Sequence, residues 1–203
     1  MWERERWMER VRSQMPGERW AHTEGVMSCS VELARRFGTD PEKAEMAALL
    51  HDYAKYWPIE RQRAVIAEHG LGVDLLDYDP PLWHAPVAAW VAEREFGVTD
   101  PDVLNAIRYH TSGRERMSVL EKVVCLADYI EPGRRFPGVE RIRELALNDL
   151  ERALVAGFDS TISFLLEKGG TIYPLTVMAR NGLIREIAVR GNQSEHPNLG
   201  NGG

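Results

Sequence analysis

The sequence predicts an all-α bundle, and three observations carry that prediction. Apolar residues recur at helical spacing, as in Trp7, Val11 and Met15 and again in Val26, Cys29, Leu33 and Phe37. Proline and glycine fall where such stripes start and stop. No segment sustains the apolar-polar alternation of a half-buried strand.

The elements follow in order. The first stripe stops at Pro16-Gly17 and the second at Gly38. Asp40-Pro41 opens a third helix, with aspartate as N-cap and proline at the first helical position, where its missing N–H is no loss. Met46, Leu49, Leu50 and Tyr53 carry this helix towards Trp57-Pro58. A shorter helix runs from Pro58 to Glu68, ahead of Gly70. Residues 70–83 read as a loop broken by Asp79-Pro80-Pro81. Ala85 to Phe96 form the next helix, followed by Gly97. Asp100-Pro101 repeats the earlier start signal, and each of the two helices delivers a histidine near its end, His51 and His110. Further helices are expected at 118–130, 138–147, 149–167 and 174–189. Residues 1–190 are expected to form one domain, and the Gly/Asn-rich residues 191–203 a flexible tail.

Composition narrows the function. A chain of 203 residues, 44% hydrophobic, is long enough for one sizeable core. Lys and Arg number 25 against 31 Asp and Glu, a formal charge of −6. Such a chain is a poor candidate for long nucleic acid, although a locally basic pocket could still hold a nucleotide. Two cysteines, Cys29 and Cys125, exclude a disulfide scaffold and a four-cysteine zinc site, and suggest a reducing compartment. The apolar runs are far shorter than the roughly 18 residues of a membrane span. The N-terminus alternates charge and tryptophan rather than building a signal peptide, so a cytoplasmic protein is expected.

The chemistry gathers around six histidines, of which His51 is the most informative because Asp52 follows it at the end of an apolar helix. Neighbouring helical residues point about 100° apart, so both can reach one ion only beyond a helix end or flank. Imidazole and carboxylate together suit iron, manganese or zinc. Further donors stand at His22, His84, His110 and Asp128. Asp128 lies on a mostly apolar helix, where a carboxylate needs a cation, and Arg134 or Arg135 could also pair with it. His84, at a helix start, and His110, before Thr111-Ser112-Gly113, are expected at the rim of the site. His69 and His196 read as a helix-end residue and a tail residue.

Taken in order, His22, His51-Asp52, His84, His110 and Asp128 resemble the HD-domain metal-dependent phosphohydrolases. The surrounding sequences Arg19-Trp20-Ala21-His22-Thr23, Leu49-Leu50-His51-Asp52-Tyr53-Ala54-Lys55, Trp83-His84-Ala85-Pro86, Arg108-Tyr109-His110-Thr111 and Leu126-Ala127-Asp128-Tyr129-Ile130-Glu131-Pro132-Gly133-Arg134 resemble one subgroup, the bacterial YqeK family. Phe136-Pro137-Gly138-Val139 and Ile172-Tyr173-Pro174 fit it too. The resemblance implies an HD-domain helical bundle around a metal and symmetrical hydrolysis of diadenosine tetraphosphate to two ADP. It implies iron, with manganese or another divalent ion as alternatives and one or two ions bound. The implied metal ligands are His22, His51, Asp52 and Asp128. His84 and His110 would bind phosphate, protonate the leaving phosphate or hold a second ion.

For the nucleotide, the resemblance implies contacts from His22, Asp52, Tyr53, Ala54 and Lys55. It adds His84, His110 and Arg134, with Tyr173 as a wall for adenine. Lys55 shares the helical face of His51 and Asp52, and Arg114 and Arg116 are alternative cations. Another HD-domain nucleotide hydrolase, or a metal and nucleotide sensor without turnover, is the alternative reading. A homodimer is left open.

Overall fold

The computed structural model describes residues 2–195. Ten helices account for most of them, and no strand occurs among the described residues. They are α1 (Arg4–Arg12), α2 (Gly17–Phe37), α3 (Pro41–Leu50), α4 (Ile59–His69), α5 (His84–Glu95), α6 (Pro101–Arg108), α7 (Val119–Ile130), α8 (Val139–Leu145), α9 (Leu150–Lys168) and α10 (Pro174–Glu195). Two short 3-10 turns, Val73–Asp77 and Pro80–Leu82, occupy the stretch expected as loop.

The start and stop signals act as their chemistry predicts. Asp40 accepts hydrogen bonds from the amides of Glu42 and Lys43, and Asp100 from that of Asp102. Each therefore satisfies donors that the first helical turn leaves open. Ser118 and Glu121 form a reciprocal capping box on α7. Gly38 and Gly70 close α2 and α4 in the left-handed conformation, which favours glycine.

Helix α3 is shorter than the apolar pattern suggested. It ends at Leu50, and residues 51–57 continue as tight turns. Amides bond three residues back, Tyr53 to Leu50, Lys55 to Asp52 and Trp57 to Ala54. Tyr53 still reaches the core, packing edge-on against Trp57 and Phe96, which is why the stripe misled. Helix α10 continues to Glu195, into the stretch expected as a flexible tail; residues 196–203, with His196, lie outside the described residues.

Helix α7 is the central element. Residues from Leu120 to Ala127 are all buried, and α2, α3, α6, α8 and α9 pack around them. Cys125 is buried in this helix and Cys29 half-buried on α2; both are free thiols. Burial pushes the Cys29 thiol up to about 12, so it stays protonated and unreactive near neutral pH. No helix among the described residues is long and apolar enough to cross a membrane.

Candidate metal centre

Four helix ends converge on one point beside α7. His22 comes from the early turns of α2, and His51 and Asp52 from just past α3. His84 is the first residue of α5, His110 follows α6, and Asp128 sits near the end of α7. His22, His51, Asp52, His84 and His110 are all buried. The expected rim position of His84 and His110 is therefore corrected. Their rings lie 5.1 Å apart and are almost wholly buried among the other donors.

The hydrogen bonds set the tautomers. His51 Nδ1 lies 2.6 Å from the Ala48 carbonyl and His110 Nδ1 2.8 Å from that of Ile107. A carbonyl only accepts, so each Nδ1 carries the proton and each Nε2 presents a lone pair to the cluster. On His22 the buried carboxylate of Glu131 does this work, with Oε1 3.1 Å from Nδ1. The lone pair of His22 Nε2 then faces Asp128 Oδ1 at 3.1 Å, and that of His51 Nε2 faces Asp52 Oδ2 at 3.5 Å. Both Nε2 atoms are buried without a hydrogen-bond partner. Lone pairs that face carboxylate oxygens repel unless a cation lies between them.

The donor set therefore fits a metal ion. One group that could hold it is His22, His51 and Asp128, and a second is His51, Asp52 and His110. Ligand atoms within each group lie within 4.8 Å of one another. His84 differs from the other three. Its Nε2 lies 3.0 Å from Asp52 Oδ1 and 3.2 Å from the lone pair of His110 Nε2, so it carries a proton towards both.

Charge follows burial. His51, wholly buried, is held down at about 4 by desolvation and so stays neutral. Desolvation also lowers His84. For Asp52 and Asp128 burial acts to raise the carboxyl, yet neighbours hold both well below the usual range. His84 donates to Asp52, and the Arg134 guanidinium pairs with Asp128.

The remaining expected residues divide. Lys55 Nζ bonds both oxygens of Asp52, at 2.8 and 3.1 Å. Arg134 bonds the Asp128 carboxylate and, through Nε at 2.6 Å, its carbonyl. Arg135 turns to backbone carbonyls instead. Arg114 is held by Glu121 in a two-pronged pair, and Arg116 adopts a left-handed φ of 58°. The side chains of Tyr53 and Ala54 are buried in the core behind Asp52. His69 stacks on Trp90 away from the cluster. Glu131 is the residue that the sequence reading passed over. It lay inside the quoted motif, but its partner is 109 residues away.

Two cavities lie beside one another near this centre, and the larger reaches it. One of about 350 Å³ is lined by Tyr173, Tyr109, Arg108 and Thr111. The other, about 870 Å³, is lined by His110, Asp128 and Arg134 at the cluster and runs to Phe136 and Phe164. Leu82 and Thr111 belong to both walls.

Residues 19–133, which hold every member of the cluster, match the HD domain model. The chain belongs to the HD domain family. This HD protein is 50% identical over 174 residues to the symmetrical bis(5'-nucleosyl)-tetraphosphatase of Bacillus subtilis, covering 86% of this chain and 94% of the relative. It is 45% identical to the enzyme of the same name from Halalkalibacterium halodurans, covering 88% and 96%. The crystal structure of a predicted HD superfamily hydrolase involved in NAD metabolism, from Clostridium acetobutylicum, superposes with a TM-score of 0.87 at 40% identity. That superposition covers 92% of this HD chain and 99% of the other.

Proposed function

We propose that this HD protein is a metal-dependent phosphohydrolase that cleaves diadenosine tetraphosphate symmetrically into two ADP. The observation that carries this reading is the buried cluster with bare Nε2 atoms on His22 and His51, in a chain half identical to a symmetrical tetraphosphatase. His22, His51, Asp52 and Asp128 are the proposed ligands. Two neutral imidazoles and two carboxylates balance a divalent ion, and iron, with manganese as substitute, suits nitrogen and oxygen donors. When bound, such an ion supplies an acidic water and polarises a phosphoryl oxygen.

The chain's own residues do the rest. Lys55 and Arg134 already lie on the ligand carboxylates, so they are placed to take up charge from a tetraphosphate in an otherwise acidic protein. His84 presents its Nε2–H towards the cluster and is the proposed hydrogen-bond donor to the departing phosphate oxygen. Water thus supplies hydroxide to one half and its remaining proton to the other, which yields two nucleoside diphosphates. His110 presents a lone pair, which suits contact with substrate or a second ion. Tyr173 walls the smaller cavity as the seat of one adenine, with its hydroxyl on Asp74 at 3.2 Å. Tyr53 and Ala54 would meet phosphate through their backbone. Free cysteines and the absence of a spanning helix among the described residues accord with a cytoplasmic setting.

The test is metal analysis of anaerobically purified protein, paired with product identification on diadenosine tetraphosphate. ADP as sole product supports the reading. ATP with AMP would overturn symmetrical cleavage, and binding without turnover would make the protein a sensor.

A further inference from the structure

We propose that the larger cavity, between α7, α8 and α9, binds the second nucleoside of the dinucleotide substrate, with Phe164 as its stacking platform. The proposal rests on the tetraphosphatase reading and adds to it where the second half of the substrate goes. A substrate cut at its middle carries one nucleoside on each side of the reacting phosphates. The protein therefore needs two base sites flanking one reaction centre. The smaller cavity, beside Tyr173 and bordered by Thr111 and Ser112 next to His110, is the proposed seat of one.

The larger cavity has the placement and the chemistry of the other. It starts at His110, Asp128 and Arg134, so it is continuous with the cluster itself. It shares only Leu82 and Thr111 with the smaller cavity, which makes the two sides of one ridge. Its volume of about 870 Å³ falls in the range of small-molecule sites, roughly 300–1,000 Å³.

The wall far from the metal is aromatic. Phe164, on α9, is 57% exposed, an open ring that the core does not use. Phe136 joins it, half-buried, from the loop before α8. A base stacked on such a ring exchanges exposed apolar surface for contact. Cations stand at the same mouth. Lys168 Nζ lies 5.9 Å from the Phe164 ring centre. Arg141 lines the cavity, is exposed, and has no ion pair or hydrogen bond among the described residues. Its neighbour Arg143, by contrast, is fully engaged with the carbonyls of Ile130, Glu131 and Arg134. Of the acidic groups on this wall, Asp159 is neutralised by Arg180 at 2.7 Å, and Glu167 can accept a bond from a ribose hydroxyl or an amino group.

Phe164→Ala tests this without touching the core or the metal ligands. The metal-loaded enzyme is assayed on diadenosine tetraphosphate, and its tightest ADP site is titrated by calorimetry. Loss of one stacked base should lower kcat/KM about 10- to 100-fold, mainly through KM. ADP affinity at the tighter site should be unchanged, and Phe164→Trp should restore kcat/KM. An active enzyme whose kcat/KM is unchanged by Phe164→Ala overturns the proposal while leaving the tetraphosphatase reading intact. An equal fall in ADP affinity also overturns it, because Phe164 would then shape the first site. A wild-type protein that does not hydrolyse diadenosine tetraphosphate overturns both.

Discussion

An imidazole that donates through one nitrogen is told where to aim the other. His51 and His110 receive this instruction from backbone carbonyls three residues earlier, whereas His22 receives it from a charged carboxylate, Glu131. Glu131 is itself fixed by the Gly133 amide at 2.5 Å, and a Cβ at Gly25 would stand 2.7 Å from its Oε2. Glycine at 25 is thus the clearance that lets the carboxylate lie under His22. Glu131→Gln keeps the shape but removes the charge that makes His22 a stronger donor. Manganese affinity, read by equilibrium dialysis of the metal-free protein, should fall about 10- to 100-fold. Unchanged affinity would reduce Glu131 to packing. A second contrast separates the histidines. His51→Ala should lose metal and turnover together, while His84→Ala should keep most of its metal and lose about 10²–10⁴-fold in turnover. Metal content and kcat measured on the same samples decide it. The six potential donors at the cluster were legible because their residue types are costly to bury otherwise. The separate roles of His84 and His110 were not, since a tautomer depends on partners that only the fold supplies.

At the scale of the element, α3 and α6 repeat one design. Aspartate caps the start, proline follows, and a histidine sits just beyond the end with its Nδ1 on the last turn. Lys43, in the first turn of α3, also pairs with Asp100 at 2.7 Å and joins the two starts. The cap and the ion pair can be separated. Asp100→Ala should cost about 0.5–2 kcal/mol of stability. Asp100→Asn should cost far less, because asparagine still caps and an exposed ion pair contributes little. Urea unfolding of both variants checks this, and equal losses would show that the charge matters more than the cap. Helix starts were readable from sequence because a cap is a local event between residues two or three apart. The end of α3 was not readable, because tight turns from His51 to Trp57 keep Tyr53 on the buried side and imitate a continuing helix.

Across the whole molecule, one buried ammonium ties the central helix to the two last ones. Lys122 of α7 bonds Glu151 of α9 at 2.8 Å and Glu186 of α10 at 2.5 Å. Burial alone would lower its pKa, but the two carboxylates outweigh burial and raise it above the ordinary 10.5. The sign is fixed by which state loses its proton first. Below the unfolded value both states are charged and the contribution is complete. As pH rises through 10.5 the unfolded chain deprotonates first, so stability falls until the folded ammonium titrates. Wild type should therefore lose more stability than Lys122→Met between about pH 9 and pH 11 in urea unfolding. Parallel curves would refute a charged tie. These residues lie 29 and 64 positions apart, so the sequence marked them only as ordinary charges on helices.

His51 belongs to both groups that could hold an ion, yet it has a single nitrogen to give, since Nδ1 is committed to Ala48. The two groups are thus competitors rather than additive sites. An ion seated with Asp52 and His110 deprives the one seated with His22 and Asp128 of its shared ligand. Double occupancy demands that the second ion do without His51 and draw on Asp52, His84 and His110, which first requires His84 to shift its proton from Nε2 to Nδ1 and give up its hydrogen bond to Asp52. Filling beyond one equivalent should then be much weaker than filling the first, which leaves the hydrogen bond from His84 to Asp52 in place.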